Sequence, residues 1–195
     1  ILSPGRRHHG GLFGSRSTVG PGGHARCFTL ARELNAVIQI YAFRHGPVKV
    51  SGLCYGQIDV DTSMSMDASL EQIQTELNAQ LPVNTVWTSP LARCQMLADA
   101  FGKPYQVDKR LMEVSFGRWE GLSWADVYRT YPNEMDAWGA NWYDVAPPGG
   151  ESARMLETRV KTWANSLTEG THLVFTHAGV IRSLRVLCQR NSWKK

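Results

Sequence analysis

Apolar residues run almost unbroken through VIQIYAF (37–43), a pattern that predicts a strand covered on both faces. Further along, Leu70, Ile73, Leu77 and Leu81 recur at helical spacing, so DASLEQIQTELNAQL (67–81) is expected to be a helix with Asp67 as its cap. NTVWTS (84–89) predicts a second strand. PLARCQMLADAFG (90–102) predicts a helix with Pro90 in its first turn and Gly102 past its end. YQVD (105–108) is a short strand, and the aromatic-rich stretch 123–142 predicts short helices. ESARMLETRVKTWANSL (151–167) is helical, THLVFTHAG (171–179) is a strand running into a turn, and VIRSLRVLCQ (180–189) is a closing helix. Strands alternating with helices predict an α/β fold, a three-layer α/β/α sandwich around a mainly parallel sheet.

Ahead of residue 37 the pattern is lost. ILSPGRRHHGGLFGSRSTVGPGGHARC holds seven glycines and no period, a composition poor in the apolar surface a packed element needs. Residues 1–36 are therefore expected to be a disordered tail, a candidate non-native extension since the chain opens on Ile. Its His8, His9 and His24 carry no metal expectation. The folded domain is expected to span 37–195.

The formal net charge of +4 suggests a polyanion partner only until it is located. Residues 1–36 hold five arginines against Glu33, and residues 37–195 balance acid and base. The folded part thus has no electrostatic case for nucleic acid. No apolar run approaches the length of a membrane span. Cys27, Cys54, Cys94 and Cys188 form no CxxC pair and no zinc spacing, which fits free thiols in a reducing cytoplasm.

In such sheets ligands sit at the carboxyl ends of the strands. After the first predicted strand come Arg44, His45 and Gly46. After the second come Ser89 and Pro90, with Arg93 in the first helical turn. After the last come His177, Ala178 and Gly179. Three strand ends thus deliver cationic or imidazole groups to one edge, an arrangement suited to an anion. Arginine forks match phosphate oxygens, a helix N-terminus favours them, and neutral imidazole attacks phosphorus without a metal. LMEVSFGRWEG (111–121) adds Glu113 and Glu120, either of which could protonate a leaving alcohol.

RHG, SPLARC, LMEVSFGRWEG, PPGGES and THAGVIR, in that order, resemble the motifs of the histidine phosphatase superfamily, whose fold is phosphoglycerate-mutase-like. The resemblance covers about residues 37–188. GLCYGQIDV (52–60) and PPGGES (147–152) further resemble the alpha-ribazole phosphatase branch, which removes a phosphate in cobalamin nucleotide-loop assembly. The resemblance implies that His45 is the phosphorylated nucleophile and that Arg44 and Arg93 bind phosphate. It implies that His177 is a second pocket histidine, binding phosphate and supporting the transition state. Glu113 stands at the proton-donor position, with Glu120 the second choice, and Cys54, Tyr55 and Glu120 are candidates to line the pocket. No metal and no cofactor are implied; the expected partner is a small phosphate ester.

Two features depart from the family pattern. Pro47, Val48 and Lys49 stand where many relatives carry Glu-Thr or Glu-Ser and then Asn, so no phosphate contact is expected there. The chain also stops at QRNSWKK, where relatives run on, which makes the C-terminus a candidate truncation. A broad-specificity or sugar-phosphate phosphatase, a phosphoglycerate mutase and a non-catalytic phosphate-binding module remain alternatives on the same fold. Arg182 and Arg185 are expected to be solvated. Trp119, Trp124, Trp138 and Trp142 are expected in the core or a lid, one of them a candidate to stack on a substrate ring. Oligomeric state is left open.

Overall fold

A computed structural model describes residues 18–19, 25–31, 37–63, 70–71, 73–74, 77 and 82–189. Its frame is a six-stranded sheet built from β1 (Thr18–Val19), β2 (Ala25–Ala31), β3 (Val37–Arg44), β4 (Thr85–Thr88), β5 (Tyr105–Val107) and β6 (Gly170–Thr176). The strand order is β1-β2-β3-β6-β4-β5. β3, β6, β4 and β5 are parallel neighbours, and β2 adds antiparallel to the outer edge of β3. The mainly parallel α/β sheet expected from the alternating pattern is present.

The pleat sends alternate residues to opposite faces. On one face Ile38, Ile40 and Ala42 of β3 and Val174 of β6 join Trp163, Val160, Leu156, Val180 and Leu184. Those partners come from α4 (Ala153–Ser166) and α5 (Ala178–Gln189). On the other face Phe43, Val86, Leu173 and Phe175 pack with Cys94, Leu97 and Ala98 of α1 (Ala92–Phe101). These two apolar layers produce the sandwich. A third cluster, Cys54, Trp119 and Val127 with Trp124, Tyr131, Met135 and Trp138, gathers around α2 (Trp124–Thr130) and α3 (Pro132–Ala140).

Local signals explain the helix starts. Ser152 Oγ accepts from Met155 N at 3.3 Å and Ser123 Oγ from Asp126 N at 3.0 Å, so α4 and α2 cap themselves. The α1 start at Leu91 has no side-chain cap of its own; Asp59, from a distant loop, accepts from Ala92 N at 2.8 Å. Gly102 ends α1 with φ 74°, the left-handed position expected of it.

The expectation that residues 1–36 lack structure is corrected over Ala25–Ala31. This stretch pairs with β3 along its whole length, and Phe28 and Leu30 are buried in the first core layer. Its stability comes from pairing with β3 and from burial under α5, neither of which local composition reports. His8, His9 and His24 lie outside the described residues. Of the predicted 67–81 helix, Leu70, Glu71, Ile73 and Gln74 are helical and Ile73 and Leu77 are buried; Asp67 and Leu81 lie outside the described residues. Among the described residues no helix is long and apolar enough to cross a membrane.

Candidate active site

The register of the sheet levels three strand ends. Arg44 pairs with Thr176, and Thr88 pairs with Phe175. His45 N then donates to Thr176 O at 3.2 Å and Ser89 N to Phe175 O at 3.0 Å. The residues just beyond β3, β4 and β6 therefore meet at one edge, beside the N-termini of α1 and α5.

His45 is buried, and its Nδ1 lies 2.7 Å from the carbonyl oxygen of Gly46. A carbonyl only accepts, so Nδ1 carries the proton and Nε2 keeps its lone pair. Burial, with the charges of Arg93 and Arg44 acting in the same direction, lowers its pKa to about 4. The ring is thus a neutral, oriented imidazole at ordinary pH, the state a nucleophile requires.

The Arg93 side chain is fully buried. Its Nη2 donates to Gly56 O at 2.7 Å and its Nη1 to Ile58 O at 2.8 Å. Its guanidinium sits 5.8 Å from the Tyr55 ring, and Asp59 lies 3.8 Å from Nη1. The buried Nε donor has no acceptor among the described residues. A buried charged group with an orphan donor, facing a cleft, is built to meet an anion. Arg44, at the exposed end of β3, supplies a second guanidinium to the same cleft.

Glu113 and Glu120, left open by the sequence, are separated by the structure. Glu113 lines the cleft; its Oε1 accepts from Val114 N at 2.9 Å and from Gly179 N at 3.1 Å. A Cβ at position 179 would collide with Glu113 Oε1, so glycine there lets α5 approach the carboxylate. Glu120 is turned into the protein. It accepts from Gln57 N at 3.0 Å, Ile58 N at 2.8 Å and Phe116 N at 2.9 Å. It therefore holds the loop whose carbonyls grip Arg93, and it does not line the cleft. Cys54 is likewise absent from the cleft wall, being packed with Trp119 and Val127, whereas Tyr55 is part of that wall.

His177 is brought to His45, with ring centroids 5.2 Å apart, but lies beneath the cleft surface. Its Nε2 is 2.8 Å from Ser89 Oγ and 3.4 Å from Cys94 Sγ. Ala178 and Gly179 take its expected place at the surface because α5 starts directly after it. Burial, then the charges of Arg93, His45, Arg159 and Arg44, hold its pKa well below the usual histidine value. The ring packs beside His45 with its Nε2 held by Ser89. The Cys94 thiol, pushed up by burial, donates to Thr176 O at 3.4 Å and is part of the same packing.

The cleft, about 350 Å³, is completed by Leu53, Val114, Phe116, Trp124 and Arg182. The profile of the histidine phosphatase superfamily (branch 1) matches residues 40–193. The chain belongs to this superfamily. It is 30% identical over 159 residues to the 2,3-bisphosphoglycerate-dependent phosphoglycerate mutase of Mesorhizobium japonicum, covering 72% of this chain and 76% of that one. It is 28% identical over 172 residues to the 6-phosphofructo-2-kinase/fructose-2,6-bisphosphatase of Gallus gallus, covering 83% of this chain. It spans 36% of the length of that relative. The crystal structure of the alpha-ribazole phosphatase from Shigella flexneri superposes with a TM-score of 0.66 at 25% identity, covering 76% of this chain and 78% of that one.

Two features of this histidine phosphatase domain escaped the sequence reading. Arg182 is exposed, as expected, and it also borders the cleft, with its guanidinium 5.6 Å from the Trp142 ring. The signal was available: Arg182 lies one helical turn after Ala178, on the face that meets the cleft. Pro47 to Lys49, the departure from the family pattern, pair instead with 61–63: Ser63 N donates to Pro47 O at 2.7 Å and Lys49 N to Asp61 O at 2.9 Å.

Proposed function

We propose that this chain is a metal-independent phosphomonoesterase that works through a phosphohistidine on His45. One observation carries the reading: Nδ1 of His45 is committed to Gly46 O, which leaves the Nε2 lone pair for phosphorus beside two arginines. In the first step Nε2 bonds to phosphorus as the ester P–O bond breaks. The leaving alcohol oxygen takes a proton from the Glu113 carboxyl. Arg93 and Arg44 bind the phosphoryl oxygens and offset the charge that grows on them. In the second step water attacks phosphorus, Glu113 takes its proton, the P–N bond breaks and inorganic phosphate leaves. His177 keeps the His45 ring in place throughout.

The finer assignment is alpha-ribazole 5'-phosphate, in cobalamin biosynthesis within the cytoplasm. It is supported by the aromatic wall of Tyr55, Phe116 and Trp124 and by the likeness to the Shigella flexneri enzyme. Trp124 stacks on Trp138 at 20° between planes and meets Phe116 edge-on at 5.6 Å, so the wall is braced to receive a flat ring. A broad-specificity phosphatase would share the chemistry without a preference for that ring.

The test is incubation with a panel of phosphate esters that includes alpha-ribazole 5'-phosphate, quenched in base. A base-stable, acid-labile phosphoadduct is expected, absent in His45→Ala. Turnover is expected to survive exhaustive EDTA treatment. Normal turnover by His45→Ala, or loss with EDTA restored by Mg²⁺, overturns the mechanism. Equal kcat/KM across the panel overturns the finer assignment alone.

A further inference from the structure

The segment carrying Glu113 leaves a 3-10 turn (Lys109–Leu111) and enters no strand, so its carbonyls must find donors elsewhere. Side chains supply them. Arg159 Nη1 donates to Arg110 O and to Met112 O, each at 2.8 Å, and Nη2 donates to Glu113 O at 2.8 Å. Thr176 Oγ1 donates to Leu111 O at 2.8 Å. Every carbonyl from Arg110 to Glu113 is thus held by a side chain.

The other two Arg159 donors go to Glu151. Nε meets Oε1 and Nη2 meets Oε2, both at 2.8 Å. All five N–H donors of the guanidinium are therefore used. Glu151 extends the grip past Glu113: its Oε2 accepts from Ser115 N at 3.0 Å, and its own N donates to Ser115 O at 2.8 Å. The pair is mostly shielded, with the Arg159 and Glu151 side chains 17% and 18% exposed. The backbone is held on both sides of Glu113 by one bidentate ion pair.

A proton donor must reach the leaving oxygen at hydrogen-bond distance, and a misplacement of about 1 Å costs on the order of 10²-fold. We propose that Arg159, locked on Glu151, is a positioning residue for the Glu113 carboxyl and so sets how well the site expels poor, alkyl leaving groups. The inference rests on the reading of Glu113 as proton donor given above. Lysine cannot replace this arginine: its ammonium is a point charge on a flexible stem and cannot span Glu151 and three carbonyls at once.

The experiment measures pre-steady-state formation of phosphohistidine from an alkyl phosphate and from p-nitrophenyl phosphate. It compares wild type, Arg159→Lys, Glu113→Gln and the double variant, with unfolding curves to establish the folded fraction. Nitrophenolate leaves without protonation, so Arg159→Lys is expected to slow the alkyl reaction about 10-fold or more beyond any effect on the aryl one. In the Glu113→Gln background the same substitution should add less than about 2-fold, since its effect passes through that carboxyl. Equal losses on both substrates overturn the proposal; so do losses that add fully to those of Glu113→Gln. An effect carried through His177, which also feels the Arg159 charge, would appear as equal losses. If Arg159→Lys is not folded at the assay temperature, Glu151→Gln is read by the same criteria. Failure of wild type to form any adduct would instead overturn the underlying reading, and this inference with it.

Discussion

Both carboxylate oxygens of Glu120 lie 3.0 Å from the backbone nitrogen of Gln57. The same carboxylate also takes Ile58 N and Phe116 N, while the carbonyls flanking Gln57, on Gly56 and Ile58, hold Arg93. Glu120 therefore acts on the cleft through a loop and an arginine. Glu120→Ala is expected to lower stability by about 2–4 kcal/mol, because it strands several partly buried N–H donors. It should also raise KM for alkyl and aryl phosphates alike. Urea unfolding and steady-state kinetics check both; a loss confined to alkyl esters would transfer the proton-donor role to Glu120.

Glu113→Gln should show the opposite profile. General acid help is worth about 10²–10⁴-fold where the leaving group is a basic alkoxide, and little where it is nitrophenolate. Burst kinetics should show phosphohistidine forming far more slowly from alkyl phosphates and nearly normally from p-nitrophenyl phosphate. Equal losses would mean that the carboxylate organises Gly179 and Val114 without donating a proton.

The two histidines give stability a definite pH dependence. Burial lowers the pKa of His45 to about 4 and holds His177 well below its usual value. The unfolded chain binds protons at both near pH 6.5, while the folded chain does not. Their contribution is therefore fully present above about pH 6.5 and is lost as pH falls toward 4. Urea midpoints measured from pH 7.5 to 4.5 should decline, and His45→Gln should flatten the decline. An unchanged slope in that variant would show that His45 titrates normally in the folded protein.

Phe28 tests the strand that composition concealed. It is fully buried against the α4–α5 layer, so Phe28→Ala is expected to cost about 3–5 kcal/mol. Deletion of residues 1–36 should be at least as damaging, since it removes β2 and the pairing of seven residues with β3. A chain starting at Val37 with unchanged unfolding free energy would show that β2 contributes nothing.

The sequence by itself determined the alternating strands and helices from Val37 onward, because periodicity and caps are local. It also determined that Arg44, His45, Arg93 and His177 reach one edge, because in a parallel sheet the carboxyl ends of the strands share a side. Only the tertiary structure decided which carboxylate faces the cleft. Glu113 and Glu120 are near neighbours in one motif, and the difference between them lies in the backbone N–H groups of Gln57, Ile58 and Gly179, far away along the chain. It alone turned His177 beneath the surface onto Ser89, and it alone joined Arg159 to the carbonyls of Arg110, Met112 and Glu113. Ala25–Ala31 became a strand for the same reason. Its hydrogen bonds and its burial belong to β3 and α5, and a pairing between distant segments leaves no period in the sequence of either one.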